Sequence, residues 1–271
     1  MPPLLRLIHP APAAAVVTLT AALAIILAGD EALAGWWRIA LVVAAVAGSQ
    51  VVTGALNDWA DRGRDATSGQ AKPIPAGLVT PAAALRLAIG GAVLQLVASL
   101  PLGPAFAALG ALATLSAVAY DVWLSRTPLS VLPYLVSFGV LPLWIATGVG
   151  APATRVLGAV PLAAAFAGAA HLANTLRDWD TDATSGSRCL AQVLGRRPSR
   201  VIASGVSLGV GLGVGAALLL GGRVSAPVAA SGLIGLAAVA GGAVRERWLW
   251  RGQLVAAVAW TVAWALSGAG T

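Results

Sequence analysis

The feature that most constrains this chain is a succession of long apolar stretches without an acidic or basic residue. Seven of them are each long enough to cross a bilayer once: residues 11–29, 39–57, 127–154, 156–176, 201–222, 224–244 and 252–271. The run 87–120 is long enough for two crossings and is interrupted by Pro101, Gly103 and Pro104. About 20 apolar residues cross a bilayer as a helix, and the alternation typical of barrel strands is missing. The sequence therefore predicts an all-α integral membrane protein with nine transmembrane helices.

The composition supports this fold class over a soluble one. Of the 271 residues, 58% are hydrophobic and 10% are charged, whereas soluble domains carry about 25% charged residues. We predict a single transmembrane domain over residues 1–271, with repeat halves of about 1–126 and 127–244 and a ninth helix at 252–271.

Most of the positive charge falls on one side of the predicted membrane. The net charge is +7, and 14 of the 17 basic residues lie in alternate loops, at 1–10, 58–86, 121–126, 177–200 and 245–251. Basic loops stay in the cytoplasm. The bias therefore predicts a multi-pass protein of the cell (inner) membrane, with the N-terminus and the active site in the cytoplasm and the C-terminus outside. The bilayer is the partner that this pattern indicates, and a nucleic-acid partner is not expected.

Two windows contain most of the acidic residues. Of ten, six lie at positions 58, 61 and 65 and at 178, 180 and 182. The windows repeat at an offset of 117 residues: Asn57, Asp61, Asp65 and Ala-Thr-Ser-Gly correspond to Asn174, Asp178, Asp182 and Ala-Thr-Ser-Gly. Four predicted helices separate them, so both windows lie on the same side of the membrane. This is a parallel repeat, which allows a site between two helical halves.

The spacing within each window predicts a metal site for a diphosphate. Residues four apart form one stripe along a helix, and stacked carboxylates repel one another unless a cation lies between them. Hard oxygen ligands favour Mg²⁺ or Mn²⁺, and Mg²⁺ leaves positions for substrate phosphates. We predict two facing stripes of metal ligands, Asn57, Asp61, Asp65, Asn174, Asp178 and Asp182. Asp58 and Asp180 lie off this register, and pairing with a nearby arginine explains them equally well.

The first window carries a family resemblance. Asn-Asp-x-x-Asp-x-x-x-Asp at 57–65, followed by Lys-Pro-Ile-Pro-Ala-Gly at 72–77, resembles the first signature of the UbiA superfamily of intramembrane prenyltransferases. Asp178 and Asp182 resemble its second signature, and the similarity extends over most of the chain. It implies Mg²⁺-dependent transfer of a polyprenyl group from its diphosphate to a small acceptor, with an aromatic compound among the candidates, through an allylic carbocation. Asp61 and Asp178 are the expected catalytic residues.

The resemblance also implies which residues bind the substrate diphosphate. The expected set is Lys72, Arg126, Arg188, Tyr120 and Arg6. Lys72 stands where the family often has an arginine. The family commonly has a lysine four or five residues after the tyrosine, whereas this chain has Leu124 and Ser125 there and an arginine at 126. That arginine either replaces the lysine or serves as a positive anchor of the topology.

Two other functions stay open at this point. A terpene cyclase on the same scaffold would capture the cation internally, without an acceptor. A transporter or lipid-binding protein is the alternative from another class, since parallel repeats also suit transporters. Transporters place polar residues near the midplane, however, whereas here they gather at the cytoplasmic ends of the helices. The acceptor stays open between an aromatic acid, a quinone precursor, a sugar and a glycerol derivative.

Overall fold

The structure is a computed structural model that describes residues 1–29, 35–67, 72–177, 179–180 and 187–268. Within these residues the chain is helical and contains no β-strand. The long helices of this part of the chain are α1 Pro10–Ala28, α2 Trp36–Asp65, α3 Pro81–Ser99, α4 Pro104–Val122, α5 Leu132–Val149, α6 Ala159–Arg177, α7 Arg196–Leu220, α8 Ala226–Val244 and α9 Leu249–Leu266.

Eight of these helices, α1 to α8, are long and apolar enough to cross a membrane, counted over the described residues. The helix outside this group is α9, which carries the polar residues Arg251 and Gln253 near its start. The predicted all-α membrane fold is therefore confirmed, whereas the count of nine crossings is not. The sidedness of the termini and the single-domain organisation stay predictions.

Local sequence explains where several helices begin. Proline lies in the first turn of α1, α3, α4 and α8, where its fixed φ and missing N–H cause no loss of hydrogen bonding. The start of α3 is also capped, because the Thr80 hydroxyl accepts a hydrogen bond of 3.1 Å from the Ala83 N–H. Such caps satisfy backbone donors that have no partner within the helix.

The chain divides into two compact units, and the first comprises residues 1–125 and 143–151. A buried polar connection joins three of its helices. Ser49 Oγ on α2 lies 2.8 Å from Thr114 Oγ1 on α4, which donates to Gln95 Oε1 on α3 at 2.8 Å. Buried polar groups require such partners. The connection therefore fixes how α2 meets its neighbours, and with it the position of the acidic end of α2.

The N-terminal segment lies against this same end of α2. The Leu7 side chain is fully buried and belongs to an apolar cluster with Ile74, Val79 and Ala84. Gly54 allows the close approach, since a Cβ at this position would lie 2.7 Å from the Leu7 carbonyl oxygen. The segment is thus held beside the first acidic window by packing.

We expect Gly54→Ala to lower the thermal unfolding temperature, because a Cβ there would overlap the backbone of the N-terminal segment. Overpacking of this kind costs about 1–3 kcal/mol. Gly63→Ala is the matched control, since it lies on the same helix with no atom within 4 Å of its Cβ position. Alanine is the better helix former by about 1 kcal/mol, so this control should be neutral or stabilising. Equal unfolding temperatures for the two variants would contradict the docking of the N-terminal segment.

The second unit comprises residues 126–142 and 152–271. Within it, the rings of Phe166 on α6 and Trp260 on α9 meet edge to face with centroids 5.5 Å apart. Ser130 Oγ lies 3.0 Å from His171 Nε2 on α6 and accepts a hydrogen bond of 3.1 Å from the Leu190 N–H. The segment that follows the second acidic window is thereby fixed beside α6.

Candidate active site

The first acidic window forms the last turns of α2. The helix continues to Asp65, so the window has the helical geometry that the spacing of its residues requires. Asp58, Asp61 and Asp65 are all buried, with exposed fractions of 2%, 6% and 6%. Three buried carboxylates within eight residues need compensating donors or cations, because an isolated buried charge is strongly disfavoured.

Asp58 is the residue on which two basic side chains converge. Its Oδ1 atom accepts hydrogen bonds from Lys72 Nζ at 2.6 Å and His9 Nε2 at 3.1 Å. Lys72 Nζ also lies 3.8 Å from Asp65 Oδ2. Asp58 is therefore paired with a lysine and a histidine instead of the nearby arginine that the sequence suggested.

The loop after the first window places Lys72 against α2. The Lys72 carbonyl accepts from the Ala76 N–H at 3.1 Å, and the Pro73 carbonyl accepts from the Leu78 and Val79 N–H groups at 3.0 and 3.2 Å. Gly77 completes the turn at φ +70°, in the left-handed region that favours glycine. The Lys-Pro-Ile-Pro-Ala-Gly string thus forms a compact turn with its lysine directed to the acidic helix.

A second helix contributes an acidic residue to this site. Asn57 Nδ2 donates to Asp121 Oδ1 at 3.2 Å, joining the end of α2 to the end of α4. Asp121 is only 8% exposed. Asp121 has no counterpart in the repeated windows, and its sequence signal is an acidic residue directly after the uncharged run 87–120. The hydrogen bond leaves the amide oxygen of Asn57 available as a ligand.

The remaining carboxylate oxygens of the site are hard donors of the kind that a divalent cation prefers. Asp61 forms an ion pair with Arg64 one turn away. The Oδ2 atoms of Asp58 and Asp121 are buried and have no hydrogen-bond partner within the described part of the chain. Among the described residues, no three acidic, histidine or cysteine side chains form a group that could hold a metal ion. Mg²⁺ commonly takes only one or two carboxylates and completes its shell with water and phosphate, so the Asn57 amide oxygen with the buried carboxylates of Asp61 and Asp65 would suffice to hold it.

The other predicted site residues are distributed over both units. In the first, Tyr120 and Arg6 are half-buried. In the second, Arg126 and Arg188 are exposed, and the Arg188 N–H donates to the Arg126 carbonyl at 3.3 Å. Asn174 is half-buried on α6. Asp178 and Asp182 lie outside the described residues, so the second stripe stays a prediction.

Comparison with known proteins gives the class of this membrane protein. The profile of the UbiA prenyltransferase family matches residues 15–266. A digeranylgeranylglyceryl phosphate synthase of Natronomonas pharaonis is 30% identical over 233 residues, which cover 83% of this chain and 82% of the relative.

Solved structures share the fold at low sequence identity. A UbiA homologue of Archaeoglobus fulgidus bound to GPP and Mg²⁺ superposes with a TM-score of 0.71 at 14% identity, covering 97% of this chain and 98% of the other. The apo structure of a UbiA homologue from Aeropyrum pernix K1 gives a TM-score of 0.70 at 17% identity, covering 90% and 96%.

An integral membrane prenyltransferase is thus the class that the fold and the sequence matches define. The chain belongs to the UbiA prenyltransferase family. The predicted family and the predicted enzyme class are confirmed, and the transporter alternative is set aside.

Proposed function

We propose that this protein transfers a polyprenyl group from its diphosphate to a hydroxyl of a small acceptor, with Mg²⁺ bound at the end of α2. The observation that carries this proposal is the buried acidic face of α2 with Lys72 held beside it, 2.6 Å from Asp58 and 3.8 Å from Asp65. Carboxylates together with a lysine are suited to a metal-bound diphosphate, which requires both a cation and hydrogen-bond donors.

Each residue of the site has a distinct task in this proposal. Asn57, Asp61 and Asp65 would hold the metal, which neutralises the diphosphate as it leaves. Asp121 orients Asn57 through the amide hydrogen bond of 3.2 Å, as outer partners of ligands generally do. Lys72 donates to the diphosphate oxygens and is held in place by Asp58. Asn174, Asp178 and Asp182 are proposed to contribute further ligands, as the repeat predicts. Mn²⁺ as a substitute metal is part of the same proposal.

The reaction follows from the chemistry of an allylic diphosphate. The bond between C1 of the prenyl group and the diphosphate oxygen breaks, and the electron pair leaves with the diphosphate. A bond then forms between C1 and the acceptor oxygen, and the hydroxyl proton is released. Tyr120, Arg6, Arg126 and Arg188 stay as proposed contacts of the diphosphate, by resemblance to the family.

A glycerol derivative is the acceptor that we propose to test first. The relative from Natronomonas pharaonis is a digeranylgeranylglyceryl phosphate synthase, and it is 30% identical to this chain. A prenylated glyceryl phosphate is accordingly the first candidate acceptor, ahead of aromatic acids.

Product analysis with and without an acceptor tests the proposed function. The purified protein is incubated with geranylgeranyl diphosphate and Mg²⁺, with or without geranylgeranylglyceryl phosphate, and the lipids are identified by mass spectrometry. We expect a doubly prenylated product that requires the acceptor. If hydrocarbon or prenyl alcohol forms at the same rate with and without the acceptor, that result would favour the terpene cyclase and contradict the proposal.

A further inference from the structure

A crease between α8 and α9 belongs entirely to the second unit. In sequence it is distant from the acidic residues of α2. It has a volume of about 680 Å³ and is lined by residues of the last turns of α8, the connecting turn and the first turns of α9. Small residues produce it. A Cβ at Gly252 would lie 2.4 Å from the Ala238 carbonyl oxygen, so the two backbones touch there, whereas a Cβ at Gly241 would meet no atom within 4 Å. The close contact of the helices, together with the open space at Gly241, therefore forms the floor of the crease.

The wall of this crease is apolar. Its helical lining includes Ala238, Gly241, Val244 and Val255. Val255 lies seven residues beyond Trp248, which corresponds to about 10 Å along a helix. One leaflet of the hydrocarbon core is about 15 Å thick. The wall is therefore long enough to contact the part of an acyl chain that is nearest to its head group.

One end of the crease is strongly basic. Arg245, Trp248 and Arg251 line it, and all three side chains are exposed. The Arg251 guanidinium lies 5.0 Å from the centroid of the Trp248 ring, which fixes its direction by a cation–π contact.

Among the described residues, the carboxylate next to Arg245 in the sequence pairs with other arginines. The nearby carboxylate of Glu246 pairs with Arg196 at 2.8 Å and with Arg200 at 4.0 Å. Within the described residues, no acidic side chain forms an ion pair with Arg245 or Arg251. Two guanidinium groups at the end of an apolar crease, beside an interfacial tryptophan, are complementary to an anionic head group with an apolar tail.

We propose that this crease binds one anionic phospholipid of the surrounding bilayer. The phosphate contacts Arg245 and Arg251, and the acyl chain lies along Gly241, Ala238 and Val255. Basic pockets between transmembrane helices recognise anionic head groups in this manner. A prenyl diphosphate is a poorer occupant, because the described lining contains no carboxylate to hold the metal that accompanies a diphosphate.

Native mass spectrometry of the full chain tests this site. The protein is equilibrated in detergent with equal amounts of dioleoyl phosphatidylglycerol and dioleoyl phosphatidylcholine. We expect the wild type to retain one phosphatidylglycerol at least about fivefold more than phosphatidylcholine, and Arg251→Ala or Arg245→Ala to lose this preference. Arg223→Ala is the matched control, because it removes an equal charge from an arginine in the turn between α7 and α8.

A second pair of variants separates the crease from the charge alone. Gly241→Leu keeps both arginines but fills the open space, and should displace the lipid. Gly205→Leu is its control on α7, where a Cβ also meets no atom within 4 Å. The proposal is overturned if both lipids bind equally, if Arg223→Ala has the same effect, or if Gly241→Leu retains phosphatidylglycerol. Displacement of the lipid by farnesyl diphosphate with Mg²⁺ would overturn it as well, by assigning the crease to the prenyl donor.

Discussion

Asp61→Asn should lower prenyl transfer roughly 100- to 1000-fold, the loss that follows removal of one preorganised electrostatic group from an active site. The substitution keeps the size of this buried side chain, which is 6% exposed, and removes only its charge. Mg²⁺ should raise the thermal unfolding temperature of the wild type, because a ligand that binds only the folded state stabilises it. The same addition should have little effect on Asp61→Asn.

Arg64→Ala is the control for this experiment. Asp61 and Arg64 form an ion pair, so both variants break the same pair, whereas only Asp61→Asn removes the proposed ligand. We expect Arg64→Ala to retain activity within a few-fold of the wild type. Similar losses in the two variants would assign the effect to the ion pair and contradict metal binding by Asp61.

Asp58→Asn should raise the KM for the prenyl diphosphate because it weakens the hydrogen bond that holds Lys72, 2.6 Å long in the structure. Lys72→Met should raise the same KM by removing the donor itself. If Asp58 acts by positioning Lys72, the double variant should be little worse than Lys72→Met alone. Such non-additivity is the expected signature of two residues that act as one unit.

His9→Ala is the control for the other contact of Asp58. His9 is more exposed than Lys72, with side-chain fractions of 38% and 23%, and its removal should cost about 1 kcal/mol of stability with a small effect on KM. Breaking the pair of Asp58 and Lys72, whose carboxylate is buried, should cost roughly 3 kcal/mol or more of stability. Strictly additive effects of Asp58→Asn and Lys72→Met would show that Asp58 does not position the lysine.

The helices and the first motif could be predicted from the sequence because they depend on local patterns. Charge-free runs of spanning length become membrane helices since the bilayer core offers no partner to exposed backbone groups. The four-residue spacing of Asn57, Asp61 and Asp65 becomes one helix face because α2 continues through all three. α9 shows the limit of local patterns, since the charge-free run begins at residue 252, whereas the helix begins at Leu249 and includes Trp250 and Arg251.

The contacts between distant residues could not be predicted in this way. His9 and Asp58 are 49 residues apart, and Asn57 and Asp121 are 64 apart. No regular spacing in the sequence links the two residues of either pair, because each contact depends on how one segment packs against another. A buried carboxylate requires a partner. This rule indicates that Asp58 and Asp121 need one, but it does not indicate which residue supplies it.

Quantifying both products of the reaction decides whether this chain uses Mg²⁺ to transfer a prenyl group from a diphosphate. Wild-type protein in lipid nanodiscs is given geranylgeranyl diphosphate and geranylgeranylglyceryl phosphate, and both the prenylated lipid and the released diphosphate are quantified with Mg²⁺ or with EDTA. The proposal predicts equal amounts of the two products with Mg²⁺ and almost none with EDTA. Undiminished formation of both products in EDTA, or diphosphate release with no prenylated acceptor, would contradict it.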